Sequence, residues 1–280
     1  YTGEDTLSLH DALPISAIQQ SRAKDALTYI SSIIGINFVQ SSLPNALNTI
    51  TFANNTQTGS SGYARYPWDS FNGNDLFLDN SSGSPSNVTL ADGTYGAQTL
   101  IHELGHTLGL EHPGNYNATG GGTDPPFLTG VEDSTTWTQM SYTDYPAQYY
   151  LQFSPLDVAA LQYLYGPSPS VRTGDDTYKI STATSNFIWD GAGTDTISAA
   201  ACNLGCTIYL TPGYWGYVGS KSSLITAAGQ VTVNFGTVIE KLIGTAFADS
   251  LYGNEASNTI DGGAGNDLIE GWDGNDALIG

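Results

Sequence analysis

Three imidazoles and one carboxylate stand close together in the run His102-Glu103-Leu104-Gly105-His106-Thr107-Leu108-Gly109-Leu110-Glu111-His112, at spacings that suit a hydrolytic zinc site. His102 and His106 are four residues apart, so on a helix both rings project from one face and can share a cation. Glu103 follows the first histidine, close to the metal without having to ligate it. Gly109 can leave the helix at positive φ, which lets the chain turn back and His112 supply the third ligand. Three nitrogen ligands leave one position open for water, as a catalytic zinc requires. Zinc in such a site polarises a scissile carbonyl and acidifies water. Glu103 then takes the water proton and later hands it to the leaving amine. The chain has 4 histidines, and all but His10 lie in this run, which argues against three unrelated core or surface histidines.

Met140-Ser141-Tyr142 is the second chemical feature. Met140 is the single methionine of the chain. A lone methionine is ordinarily core filler, but downstream of the histidines it reads as a hydrophobic floor beneath them. Tyr142 would then point toward the zinc, either ligating the resting metal or donating to the oxyanion of a tetrahedral intermediate. The chain has 17 tyrosines, so Tyr142 takes this role only through its place beside Met140.

The elements that must hold these residues are legible in outline. Ile18, Ala23, Ala26, Leu27, Ile30 and Ile34 repeat close to the 3.6 period and predict a helix from Ala17 to Ile34, ended by Gly35. Short strands are predicted at Ile36–Val39, Thr49–Ala53 and Asp75–Asp79. A second helix from Tyr95 to about Gly109 carries the first two histidines. A loop containing Gly120-Gly121-Gly122 and Pro125-Pro126 follows. A third helix starts after Ser154, where Ser154 and Asp157 have capping-box spacing and Pro155 suits the first helical position. Pro167-Ser168-Pro169-Ser170 marks a domain boundary. Thr6 to Ile15 looks like the translated read-through of a sequencing adapter, so residues 1–16 are set apart as a non-native segment.

Past residue 171 short β-type segments alternate with Gly/Asp/Asn turns. Gly244, Gly253, Gly262, Gly271 and Gly280 recur at a period of nine, and the chain stops as another repeat begins, as a truncated product would. In Gly262-Gly263-Ala264-Gly265-Asn266-Asp267 and Gly271-Trp272-Asp273-Gly274-Asn275-Asp276 the glycines permit tight turns and expose carbonyls. The aspartates add charged oxygens, and calcium takes six to eight oxygens. Loops two repeats apart should stack, pairing Asp249 with Asp267 and Asn258 with Asp276. Gly262, Gly263, Gly265, Gly271, Gly274, Asp249, Asp267 and Asp276 are the calcium candidates, with Asp267 and Asp276 the most regular.

Composition narrows the partners. Lys and Arg total 7 against 27 Asp and Glu, a formal charge of -20. Nucleic acid is excluded by the lack of basic clusters. No run of eighteen apolar residues exists to span a membrane. The acidity reads either as plain solubility or, given where the aspartates sit, as cation binding. Cys202 and Cys206 have no metal-site spacing to any histidine; they are either a short-loop disulfide or two free thiols.

The histidine run with its following Pro113-Gly114-Asn115-Tyr116-Asn117, the Met140-Ser141-Tyr142 turn, the stretch Ser154-Pro155-Leu156-Asp157-Val158-Ala159-Ala160-Leu161-Gln162 and the nonapeptides together resemble the serralysin-type metzincins from about Ala17 to Gly280. The resemblance implies an α+β metzincin-like catalytic domain over 17–168, followed by an all-β parallel β-roll over 169–280. It implies zinc on His102, His106 and His112, Glu103 as the catalytic base and Tyr142 as a further zinc ligand. It also implies linker calcium sites: carbonyls of Arg172 and Gly174 with Asp190, Asp195 and Glu240. Asp176, Ala192 and Gly193 lie in the same loops, and Asp176 and Ala192 depart from the usual Thr and Gly there. Zinc and calcium are the implied cofactors. Asp75–Asp79 is implied as the cleft edge to which an extended peptide adds. The implied protein is a monomeric, secreted zinc endopeptidase exported by a bacterial type I-like route, with protein or peptide substrates and a proteinaceous inhibitor as partners. The rival reading is a non-catalytic calcium-binding surface module with a degenerate protease domain, against which the intact Glu103 counts.

Overall fold

The computed structural model describes residues 12–41, 48–67, 74–115, 126–144 and 149–280. The expected loop through Gly120-Gly121-Gly122 and Pro125 lies outside them, as do residues 1–11. The chain divides into two compact units, one of residues 1–31 and 37–160, the other of 32–36 and 161–280. Among the described residues no helix is long and apolar enough to cross a membrane.

In the first unit, β1 (Leu13–Pro14) precedes α1 (Ala17–Ile33). Two of the residues set apart at the N-terminus thus pair with the sheet, Leu13 opposite Asn54 and Pro14 opposite Ala53. Ser16 and Gln19 close a capping box at the start of α1: the Gln19 amide donates to Ser16 Oγ at 3.2 Å and the Ser16 amide to Gln19 Oε1 at 2.8 Å. Ala23, Ala26 and Ile30 form its buried stripe. The predicted strand Ile36–Val39 is absent: this segment is irregular and Val39 is 87% exposed. Among the described residues its short apolar run has no strand beside it to pair with.

β2 (Thr51–Asn55), β3 (Gly62–Ala64) and β4 (Asp75–Asp79) complete a four-stranded sheet in the order β1-β2-β4-β3. β4 runs parallel to β2 and antiparallel to β3. This overturns the expected role of Asp75–Asp79. Both edges of β4 are already paired and all five of its residues are buried, so no peptide can add to it. The outer strand on this side is β3. The Arg65 amide bonds to Asp75 and the Asp79 amide to Ser61. In an antiparallel ladder this alternation turns the backbone groups of Gly62 and Ala64 away from β4.

α2 (Tyr95–Thr107) lies beneath the sheet and is buried at every residue from Gly96 to Thr107. α3 (Pro155–Tyr165) follows. The expected capping box at its start is half formed. Asp157 accepts from the Ser154 amide at 3.0 Å, but Ser154 Oγ donates to the Thr135 carbonyl at 2.6 Å instead of capping the helix.

The second unit contains β5 (Thr177–Lys179), β6 (Asn186–Ile188), β7 (Thr196–Ser198), β8 (Cys206–Tyr209), β9 (Gly216–Val218), β10 (Gln230–Val233), β11 (Lys241–Ile243), β12 (Ser250–Tyr252), β13 (Thr259–Asp261), β14 (Leu268–Glu270) and β15 (Ala277–Ile279). They form a five-stranded sheet, β15-β13-β11-β7-β5, and a six-stranded one, β14-β12-β8-β9-β10-β6. From β11 onward successive strands fall in alternate sheets. Leu251 therefore faces Ile269 and Ile260 faces Leu278, an offset of 18 residues per turn. All pairs are parallel except those of β9 with its two neighbours. Ile197, Ile208, Leu242, Leu251 and Ile260 fill the core with one apolar residue from each short strand. Cys202 and Cys206 are free thiols within this core.

Candidate metal centre

The exit from α2 builds the site. Gly109 takes φ +95°, the Leu110 amide reaches back to the Gly105 carbonyl at 2.9 Å and the Gly109 amide to His106 at 3.0 Å. This double closure is the Schellman arrangement, and it needs a residue that tolerates the left-handed region. The turn brings His112 to within 3.1 Å of His102 and 3.2 Å of His106, Nε2 to Nε2 in each case.

The other ring nitrogens set the protonation. His102 Nδ1 lies 2.8 Å from the Gln139 carbonyl, and His106 Nδ1 lies 2.7 Å from the Leu110 carbonyl. A carbonyl can only accept, so each Nδ1 carries the proton and each Nε2 presents a bare lone pair. All three rings are buried. Burial and mutual repulsion push His106 down to about 3 and His112 to about 4, and burial lowers His102 as well. Neutral rings with converging lone pairs are the donor set of a divalent transition metal. The residues present therefore fit zinc.

Glu103 is buried on the same helix, and burial pushes its carboxyl up to about 8. Its Oε2 has no hydrogen-bond partner. β3 presses on it: a Cβ on Gly62 would stand 2.9 Å from Glu103 Cγ and 2.7 Å from Thr99 Cγ2. Met140, 1% exposed, lies under the helix, where a Cβ on Gly105 would meet its Sδ at 2.5 Å. Asp157 fastens the Met140 turn. Its carboxylate accepts from Thr138 Oγ1 at 2.6 Å, from the Gln139 amide at 2.6 Å and from the Ser154 amide at 3.0 Å. The carbonyl that orients His102 thus belongs to a residue held by α3.

Two tyrosines flank the imidazoles. Tyr142, 60% exposed, has its ring centroid 4.6 Å from that of His112 and 5.9 Å from that of His102. Tyr66 meets His106 edge-on at 5.2 Å. Burial raises its phenol, with Glu111, Glu103 and Tyr142 adding to the effect. Tyr66, Gly62, Gln139 and Leu110 escape a reading by motif. Three act through backbone or by lacking a side chain, and Tyr66 follows β3, a strand the sequence does not announce.

The calcium candidates form two groups. Carboxylate oxygens of Asp176, Asp190 and Asp195 lie within 4.8 Å of one another. Burial, with Asp190 and Glu240 nearby, pushes Asp195 up to about 6, and its Oδ2 is buried without a partner. Glu240 accepts from the Asp195 amide at 2.8 Å. The Arg172 carbonyl accepts from Gly191 and Ala192. A Cβ on Gly193 would stand 2.1 Å from the Gly174 carbonyl oxygen.

In the repeats, the Asp249 amide donates to Asp267 at 3.0 Å and the Asn258 amide to Asp276 at 2.9 Å, so loops 18 residues apart stack. A Cβ on Gly262 or Gly271 would strike the carboxylate of Asp267 or Asp276, and one on Gly263, Gly265 or Gly274 the backbone of the adjacent turn. Asp249 already accepts from Thr245 and from the Cys206 amide. Asn258 closes on Asn254 and the Ile239 carbonyl.

Comparison with known proteins bears on both regions. The RTX calcium-binding nonapeptide repeat model matches residues 180–203 and 240–280. The metalloprotease AprA of Pseudomonas entomophila is 33% identical over 269 residues, covering 85% of this chain and 54% of that protein. The serralysin of Proteus mirabilis is 35% identical over 277 residues, covering 85% and 54%. The metallopeptidase AprA of Pseudomonas marginalis is 34% identical, covering 86% and 55%. The chain spans just over half the length of these relatives.

Proposed function

Since the chain is a homologue of the serralysin-type metalloproteases along most of its length, we propose that it is a secreted zinc endopeptidase, with a metzincin-like first unit and a calcium-binding β-roll as its second. The observation that carries this reading is the convergence of three Nε2 atoms beside a buried carboxyl with one unpartnered oxygen. A non-catalytic module has no use for that carboxyl, and leaving it buried costs stability.

His102, His106 and His112 would hold zinc, and Tyr142 would join them or bond the developing oxyanion. Zinc bound there supplies a Lewis acid for the peptide carbonyl and for water. Glu103 accepts the proton of the attacking water and delivers it to the departing amine. Burial holds its pKa high and a neighbouring cation draws it back toward neutrality, which suits a group that must both take and give a proton. The substrate would lie extended along β3, bonding to Gly62 and Ala64. The second unit would take calcium on Asp190, Asp195 and Glu240 with neighbouring carbonyls, and on the rows through Asp267 and Asp276. Carboxylates packed this closely favour folding where calcium is abundant, outside the cell.

The test is casein hydrolysis at fixed calcium, with and without a zinc chelator, on wild type and Glu103→Ala. Hydrolysis that needs both zinc and Glu103 is expected. Hydrolysis that survives Glu103→Ala, or a purified chain that contains no zinc, overturns the proposal.

A further inference from the structure

Residues 139–144 form an arch whose two feet both rest on α2. At the near foot the Gln139 carbonyl lies 2.8 Å from His102 Nδ1. At the far foot Gln98 Nε2 donates to Asp144 Oδ1 at 3.0 Å. Gln98 precedes His102 by one helical turn, so the two contacts share one face of the helix. Tyr142 stands at the crown, 60% exposed, with its ring beside those of His112 and His102. The crown is also pinned from behind. Ser141 Oγ donates to Asp133 at 2.6 Å and accepts from the Thr143 amide at 3.0 Å, and the Thr143 carbonyl accepts from the Thr135 amide at 2.9 Å. Those bonds tie the crown to residues 133–135. The feet tie it to the helix that bears two of the histidines.

Gln98 is an odd residue for its place. It is 5% exposed, and its Oε1 is buried without a hydrogen-bond partner. An apolar side chain of similar length would fill that place without burying an unpaired carbonyl. What the amide does there is hold Asp144 through Nε2. Asp144 is braced from its other side as well. The Tyr149 hydroxyl donates to Asp144 Oδ2 at 3.2 Å, and the Tyr149 ring meets that of Tyr95, the first residue of α2, edge-on at 5.8 Å.

We propose that Gln98 and Asp144 are positioning residues for Tyr142, fixing the far foot of the arch so that the phenol is held beside the three histidines. The inference rests on the reading above, in which Tyr142 serves the metal or the developing oxyanion. A group that acts on a transition state must be placed closely, since a shift of about 1 Å can cost about 10²-fold in rate. Neither Gln98 nor Asp144 has to touch metal or substrate to have this effect. They set where the crown stands relative to the imidazoles before substrate arrives.

The test uses the zinc- and calcium-loaded full chain as wild type, Asp144→Ala, Asp144→Asn, Gln98→Leu, Tyr142→Phe, and Tyr142→Phe combined with Asp144→Ala. Peptide kinetics are paired with calorimetric binding of a phosphinic peptide, whose tetrahedral phosphinate mimics the tetrahedral intermediate. Metal analysis and circular dichroism melts control for zinc content and folding. Asp144→Ala and Gln98→Leu should each lower kcat and phosphinate affinity by about tenfold or more, with KM within about twofold and zinc content unchanged. Asp144→Asn keeps an acceptor oxygen for Gln98 and should stay near wild type. In the Tyr142→Phe background, Asp144→Ala should cause no further loss. An equal loss in that background gives Asp144 a role independent of Tyr142 and overturns the proposal. So do kcat and affinity that Asp144→Ala and Gln98→Leu both leave intact while Tyr142→Phe lowers them, a result that spares the reading of Tyr142 itself. If Tyr142→Phe alone changes neither, that reading fails and the proposal falls with it. A wild type that neither hydrolyses the peptide nor binds the phosphinate overturns the endopeptidase reading and this proposal together.

Discussion

Glu103 and the histidines share one buried helix and its exit, yet burial drives them in opposite directions: the acid toward its protonated form, the bases toward their neutral form. Both shifts suit the hydrolytic metal centre proposed above. In the proposed mechanism Glu103→Gln keeps the side-chain shape and leaves the three histidines in place but removes the proton acceptor. It should lower kcat by at least about 10²–10⁴-fold with zinc content unchanged by metal analysis. The histidine shifts also make the metal-free protein acid-sensitive. An unfolded histidine titrates near 6.5, whereas folded His106 titrates near 3 and His112 near 4. Below pH 6.5 the unfolded chain therefore takes up protons that the folded chain refuses. The melting temperature of zinc-free protein should fall as pH drops from 6.5 toward 4, and His112→Gln should flatten that slope. Thermal melts in chelator across this range would measure it.

At the level of elements, the metal centre depends on parts far from it in sequence. Asp157 of α3 receives three hydrogen bonds, two of them from the Thr138-Gln139 turn that orients His102. Asp157→Asn would set an amide donor against donors. A cost of about 2–3 kcal/mol is expected, read as an earlier denaturant midpoint together with weaker zinc affinity. For β3, Ala64→Pro removes one amide turned away from β4. It should raise KM roughly tenfold, the worth of one backbone hydrogen bond, with kcat and stability near wild type in peptide kinetics and melts. The helices and the histidine spacing were legible because periodicity, Gly109 and the single Met140 act locally. The proposed cleft edge was not. Asp75–Asp79 is the more apolar strand, and that same apolarity places it inside the sheet with both edges paired. Gly62-Tyr63-Ala64 is too short and plain to announce an edge. Ile36–Val39 has strand-like residues but pairs with no strand among the described residues. Asp157 was visible as a cap, but its hold on the Met140 turn depends on contacts that no sequence window spans.

Across the whole molecule, negative charge is shared by both units, with 15 Asp and Glu in the first and 12 in the second. In the metal-free state Asp195, with a pKa near 6 against 3.8 unfolded, binds its proton more tightly when folded. Stability of the second unit without calcium should therefore decline as pH rises from about 4 through about 6. Calcium should remove that dependence by taking the proton's place, which circular dichroism melts in calcium-free and calcium-loaded buffer would compare. The 18-residue register has a mechanical reading as well. In β11 to β15 every turn contacts the turns beside it, so cooperativity there runs in one dimension. Pulled by its ends, this stretch should yield in steps instead of rupturing at once. Each step should lengthen the tether by 18 residues, roughly 60 Å of extended chain, a ruler visible to single-molecule force spectroscopy and set by nothing more than the spacing of glycines.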